Sequence, residues 1–133
     1  MARRRADEGA AAAETAVATP LLMLVLLLIV QFAVWAHTVH VAQATAAEAL
    51  AAARADDGSA AAGRQRADQV RAQIGRRLLA GATVGVTRSA DTARVEISGA
   101  APRVVPLPFL TFPVHVTVSG PVERFRPDAE PQG

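Results

Sequence analysis

Few side chains in this sequence are of the kinds that do chemistry, and their spacing limits what each could do. His37 and His40 stand one helical turn apart and could share a metal ion, but no third ligand is evident beside them. Thiolate metal sites and disulfides are both excluded, because the chain has no cysteine. His115 alternates with Val114, Val116 and Val118, which makes it a solvent-facing residue rather than a base. Gly81-Ala82-Thr83-Val84-Gly85 lacks the lysine and the spacing of a phosphate-binding loop. Asp56 and Asp57 precede Gly58-Ser59 and read as a helix stop before they read as a calcium site. No set of nucleophile, base and acid emerges, so the sequence points away from an enzyme and implies no metal, cofactor or small-molecule substrate.

One charged residue still needs a reason. Glu14 is the last charge before an uncharged stretch, and no Asp, Glu, Lys or Arg occurs between Thr15 and Ala47. A carboxylate carried into hydrocarbon costs several kcal/mol, roughly 2.5 or more on insertion scales, so such residues usually have a function. On its own Glu14 has two readings. It is either an assembly contact, or a first-turn carboxylate that interacts with the helix macrodipole, worth about 0.3–1 kcal/mol.

The element that positions Glu14 is a long apolar segment. Residues 15–36 are about as many as a helix needs to cross a bilayer core of roughly 30 Å. Arg3, Arg4 and Arg5 precede it, whereas the first charges beyond it are Glu48 and Arg54, so the positive-inside bias places the N-terminus in the cytoplasm and the rest outside. Trp35 and His37 fall where an aromatic and a polar anchor meet the outer membrane interface. Pro20 lies inside the span and predicts a kink, since it removes one backbone donor and crowds the preceding turn. A secretory signal cleaved after Ala44 is the rival reading, but the apolar stretch is longer than the usual h-region of about 7–15 residues.

The chain has 133 residues, and all 14 of its basic residues are arginine, a bias that GC-rich coding sequence produces before chemistry does. The net charge is only +2, the arginines are scattered and aromatics make up 4%, which excludes a nucleic-acid surface of stacked bases and basic stripes. Fewer than about 90 residues remain for a soluble fold, too few to be robust without support from a partner or from the chain's own helix.

Residues 37–54 are alanine-rich and free of Gly and Pro, so the membrane helix is expected to continue outward, giving a helix over residues 10–54 of roughly 65 Å. Residues 56–63 read as a linker. Ala67, Val70, Ile74 and Leu78 then recur at spacings of three and four, which predicts an amphipathic helix over residues 64–80 that covers a sheet or lies on a membrane. Three short strands follow, centred on Val84 and Val86, on Val95 and Ile97, and on Val114, Val116 and Val118, with Ser89-Ala90-Asp91 as a hairpin turn. Residues 102–113, with Pro106 and Pro108, cannot form a central strand and read as a surface loop or edge-covering arm carrying Phe109, Leu110 and Phe112. These apolar groups suit either a contact with another subunit or the domain's own core. Residues 64–125 form the expected outer domain, and residues 126–133 a disordered tail. The expected class is α+β: a long N-terminal transmembrane helix continuing outward, a second amphipathic helix and a small antiparallel sheet.

Three N-terminal features occur together: a short basic leader ending in Gly9, Glu14 five residues later, and an apolar helix with Pro20 near its start and an alanine-rich stretch from Ala42 to Arg54. This arrangement resembles type IV prepilins and pseudopilins, and most of all the TadE-like minor pilins of tight-adherence (Tad/Flp) systems. The resemblance covers the first 55 residues well and the remainder in outline. It departs from the family at Thr15, where an aromatic residue commonly follows the Glu, and at Gln31, where related chains often carry Glu.

The resemblance implies a pilin-like plan and a structural or assembly role in a pilus or related secretion system. It also implies that a prepilin peptidase cuts between Gly9 and Ala10 on the cytoplasmic side, making residues 1–9 a removable leader and residues 10–55 the helix. Glycine suits such a site because a protease holds backbone in extended form. The Ala10 amine so exposed lies one turn from Glu14, which could meet it in the same chain or in a neighbouring subunit. The implied partners are the membrane, the peptidase, other pilin or pseudopilin subunits and the assembly machinery. Two alternatives stay open: an unprocessed bitopic protein with a partner-binding outer domain, and a secreted module released after Ala44.

Overall fold

A computed structural model of the chain describes residues 2–74 and 76–124, with side chains from Asp7 onward. Helix α1 (Ala2–Arg54) and helix α2 (Ala60–Ile74) are followed by strands β1 (Thr83–Arg88), β2 (Thr92–Ala100) and β3 (Pro113–Pro121). The strands form one antiparallel sheet in the order β1-β2-β3. The architecture is the α+β arrangement expected from the sequence. Residues 126–133, expected as a tail, lie outside the described residues.

Helix α1 plays two roles along its length. Up to about Val30 its apolar side chains are exposed, whereas beyond that point it becomes one wall of the domain core. Val41, Ala42, Ala46, Ala49, Leu50 and Ala53 are buried and recur at helical spacing, forming the face against which α2 and the sheet pack. Small residues on this face permit close approach. Gly63 of α2 is the limiting case, since a Cβ there would meet Val86 Cγ1 at 2.9 Å, Ala49 O at 3.0 Å and Ala53 Cβ at 3.1 Å.

The sheet applies its inward face to the same core. Register aligns Val86 with Val95 and Val95 with Val118, and the next row aligns Val84, Ile97 and Val116. Strict alternation in β2 buries Ala93, Val95 and Ile97 while Arg94 and Glu96 face water, the pattern of a sheet covered on one side. Ser89 closes the β1–β2 turn, its hydroxyl bonding the Thr92 backbone N–H at 3.1 Å.

Arg88 caps the far end of α1. Its Nη1 donates to Ala53 O at 2.5 Å and Ala55 O at 2.8 Å, supplying donors to carbonyls that a helix end leaves without partners. The chain then turns, and Ser59 Oγ accepts from Ala62 N–H at 3.0 Å, an N-cap that starts α2 at Ala60. Residues 60–63, expected as part of a linker, are therefore helical. The second helix also ends earlier than expected, at Ile74 instead of residue 80. Residues 76–80 form turns that insert Leu79 into the core, held by Arg71 Nη2 on Leu79 O at 2.9 Å.

Candidate functional site

The residues that carry the sequence-level argument are strung along α1 and do not converge on one site. Gly9, Ala10 and Glu14 occupy its first exposed turns, with Pro20 six residues on from Glu14. At 1.5 Å per residue, Trp35 and His37 lie roughly 32–35 Å further along the axis than Glu14. The helix continues through Pro20, and Thr15 Oγ1 donates back to Ala11 O at 2.9 Å. Around them Ala11, Ala12, Thr15, Ala16, Thr19 and Pro20 line a shallow, open groove of small side chains.

Glu14 is exposed and, among the described residues, makes no hydrogen bond or ion pair. A Cβ built on Gly9 would meet nothing within 4 Å, so the packing of the chain does not require glycine at that position. Beyond Pro20, Leu22, Met23, Leu26 and Ile29 all stand more than half exposed. Exposure on this scale suits lipid or other helices as the surroundings, not water. Among the described residues α1 is the one helix long and apolar enough to cross a membrane, which fits a single-pass protein.

The structure brings together a second set of residues, from α1 and from the proline-rich loop, whose meeting the sequence does not announce. Gln31 is completely buried, although it sits inside the apolar stretch. Its Oε1 accepts from the backbone N–H of Val104 at 2.6 Å and of Val105 at 3.3 Å, and its Nε2 donates to Pro102 O at 3.0 Å. One turn further, Trp35 Nε1 donates to Pro113 O at 2.9 Å. The proline-rich loop of residues 101–112 is thereby fastened to α1 where the membrane segment gives way to the domain. It is not an arm over the sheet edge. Val105 is buried in this junction, Phe112 packs against the core, and Phe109 projects outward at 77% exposure.

The sequence marks Gln31 only as a departure from the TadE-like pattern, and its part in holding the loop is not legible there because its partners lie more than 70 residues away. The only local signal was an amide in a run of Leu, Val and Ile. His37 and His40 are both exposed, and among the described residues no group of three His, Asp or Glu side chains could hold a metal ion.

One polar cluster has the residue types of a nucleophile relay. Ser98 Oγ lies 2.8 Å from His115 Nδ1, and His115 Nε2 lies 3.6 Å from Glu96 Oε1. These groups stand on the outer face of the sheet, with His115 60% and Glu96 48% exposed at the side chain. Water competes for every bond there, which is not the excluded environment that makes such a relay effective. The cluster is better accounted for as cross-strand pairing of β2 with β3, in which Ser98 is registered with His115.

Compared with known protein families, residues 9–54 match the family described as TadE-like protein. The match begins at Gly9 and ends at the last residue of α1, so it takes in the membrane segment and the helical wall of the core. Comparison with curated proteins and with solved structures finds no match. Over residues 9–54, about a third of its length, the chain is similar to TadE-like proteins.

Proposed function

We propose, with the TadE-like character of residues 9–54 as the premise, that this chain is a minor pilin or pseudopilin of a Tad/Flp-type pilus or related secretion system. In this reading the N-terminus is cytoplasmic and the sheet domain lies outside. A prepilin peptidase removes residues 1–9, and the chain acts as a structural or assembly component without catalytic activity.

The observation that carries the reading is the pairing of Gly9 with Glu14 on the exposed start of an apolar helix. Nothing inside the subunit demands either residue: a side chain at Gly9 would meet nothing, and Glu14 has no bonded partner among the described residues. Demands from outside the subunit account for both. A protease that grips extended backbone favours glycine at the residue before the cut. The cut frees the Ala10 amine, and a positive charge at the membrane edge gives Glu14 a partner whose attraction grows as the surrounding dielectric falls. The exposed small-residue groove beside Pro20 lets a neighbouring helix approach closely.

The test is incorporation. In a host that assembles the machine, Glu14→Ala should leave the amount of chain in the membrane unchanged. It should lower the amount recovered in sheared pili or cross-linked assemblies by roughly tenfold, the equivalent of about 1.4 kcal/mol. Equal recovery of the variant and the parent chain would remove Glu14 from the assembly contact.

A further inference from the structure

The loop of residues 101–112 is held at a depth that can be worked out along α1. With Glu14 at the cytoplasmic edge, a hydrocarbon core of about 30 Å uses some 20 residues and ends near Val34. Gln31 lies roughly 26 Å from Glu14 on that scale, inside the outer edge of the core. The loop that Gln31 binds must therefore meet the bilayer. We propose that residues 101–112 form an interfacial anchor that dips into the outer leaflet of the membrane spanned by α1, with Phe109 and Val104 in the acyl-headgroup boundary and Arg103 among anionic headgroups. The proposal rests on the reading of α1 as a membrane span.

Four observations support a lipid interface as the occupant of this surface. The first is continuity: exposed Phe32 on α1, at 65%, and exposed Val104 and Phe109 on the loop extend the apolar surface of the span onto the domain. A second is partial backbone satisfaction, which an irregular segment needs near the membrane. The N–H groups of Val104 and Val105 are taken by Gln31, those of Ala101, Leu107 and Leu110 by Phe112 O, Val105 O and Leu107 O, and Pro102, Pro106 and Pro108 have none to satisfy, which leaves those of Arg103, Phe109, Thr111 and Phe112 for water or lipid headgroups and sets the loop at the interface, not in the hydrocarbon. A third is the form of the tip, where Arg103 Nη1 donates to Pro108 O at 2.9 Å across the loop while the side chain stays exposed, leaving donors for a phosphate.

The fourth is charge segregation. Helix α2 runs back towards the membrane, since Arg66 pairs with Glu48 at 2.8 Å while Gly63 faces Ala49 and Ala53. Eight residues beyond Arg66, Ile74 comes level with about residue 40 of α1, which places exposed Arg76 and Arg77 at the membrane end. At the opposite end the carboxylates of Asp91 and Glu123 are matched by Arg124 and Arg54, whereas Arg76 and Arg77 have no ion pair among the described residues. A basic, apolar-tipped end facing anionic lipid is the pattern of an interfacial contact.

The chain has no cysteine, so single labels can be placed without further changes. Spin labels at Phe109→Cys, Leu22→Cys and Ser89→Cys would be compared in the full chain, reconstituted in vesicles containing phosphatidylglycerol, by their collisions with oxygen and with a water-soluble nickel complex. The expected result is that Leu22 and Phe109 both favour oxygen, Phe109 at shallower depth, while Ser89 at the distal turn favours nickel. A Phe109 label that matches Ser89 while Leu22 remains in lipid would overturn the anchor and leave the span standing. Broadening of the Phe109 spectrum that disappears on dilution with unlabelled chain would also overturn it, by showing a second copy over the loop. A Leu22 label in water would overturn the span and the anchor with it.

Discussion

Replacing Gln31 with leucine should release the proline-rich loop from α1 without disturbing the sheet. The side chain makes three hydrogen bonds to the loop, accepting from Val104 and Val105 and donating to Pro102. At about 0.5–1.5 kcal/mol net for each bond, their loss amounts to about 3 kcal/mol. A tenfold change corresponds to about 1.4 kcal/mol, so amide exchange at Val104 and Val105 should accelerate on the order of 100-fold. Hydrogen exchange on the full chain in detergent micelles reads this directly, with Val95 in the central strand as the internal control. Gln31→Glu keeps the oxygen acceptor and loses the donor to Pro102, so it should fall between parent and leucine variant. Unchanged protection at Val104 and Val105 in Gln31→Leu would refute the assignment of Gln31 as the residue that holds the loop.

Three further substitutions test how the domain is built onto the helix. Gly63→Val places methyl groups where even a Cβ would lie 2.9 Å from Val86 Cγ1, and the overpacking should cost about 1–3 kcal/mol, read as a lower midpoint in thermal unfolding of the strand signal. Arg88→Met removes both hydrogen bonds that Nη1 makes at the end of α1 and should cost about 2 kcal/mol, with faster exchange at Gly58, whose N–H bonds Ala55 O. Trp35→Phe keeps a ring beside Phe32 but loses the bond to Pro113 O, so it should lower stability by about 1 kcal/mol in the same melting experiment.

Local chemistry made much of the fold readable. Alternation exposed the strands because the sheet is buried on one face only, and Ser89 to Asp91 marked the hairpin turn. The boundaries of α2 were harder for a physical reason. Gly58 and Gly63 suggest a flexible link, yet Ser59 caps the helix and Gly63 is there because α2 crosses α1 too closely for a side chain. The helix stops at Ile74 because Leu79 turns into the core, a tertiary demand that periodicity does not reveal. Prolines at residues 102, 106 and 108 said that the loop is not a strand, but nothing local said where it goes, since its anchor is Gln31 far upstream. At the N-terminus, Gly9, Glu14 and Pro20 stood out by spacing alone, and the TadE-like match begins at that same glycine.

The reading of this chain as a pilin-type subunit stands most directly on the fate of residues 1–9. Intact-mass measurement of the chain extracted from membranes should be made with the matching prepilin peptidase present and absent, and with Gly9 replaced by a bulky residue. The account requires a mature species beginning at Ala10 when the peptidase is present, and a full-length species both without it and in the Gly9 variant. A full-length N-terminus in the peptidase-competent host would contradict it, leaving Glu14 without the amine that gives it a partner.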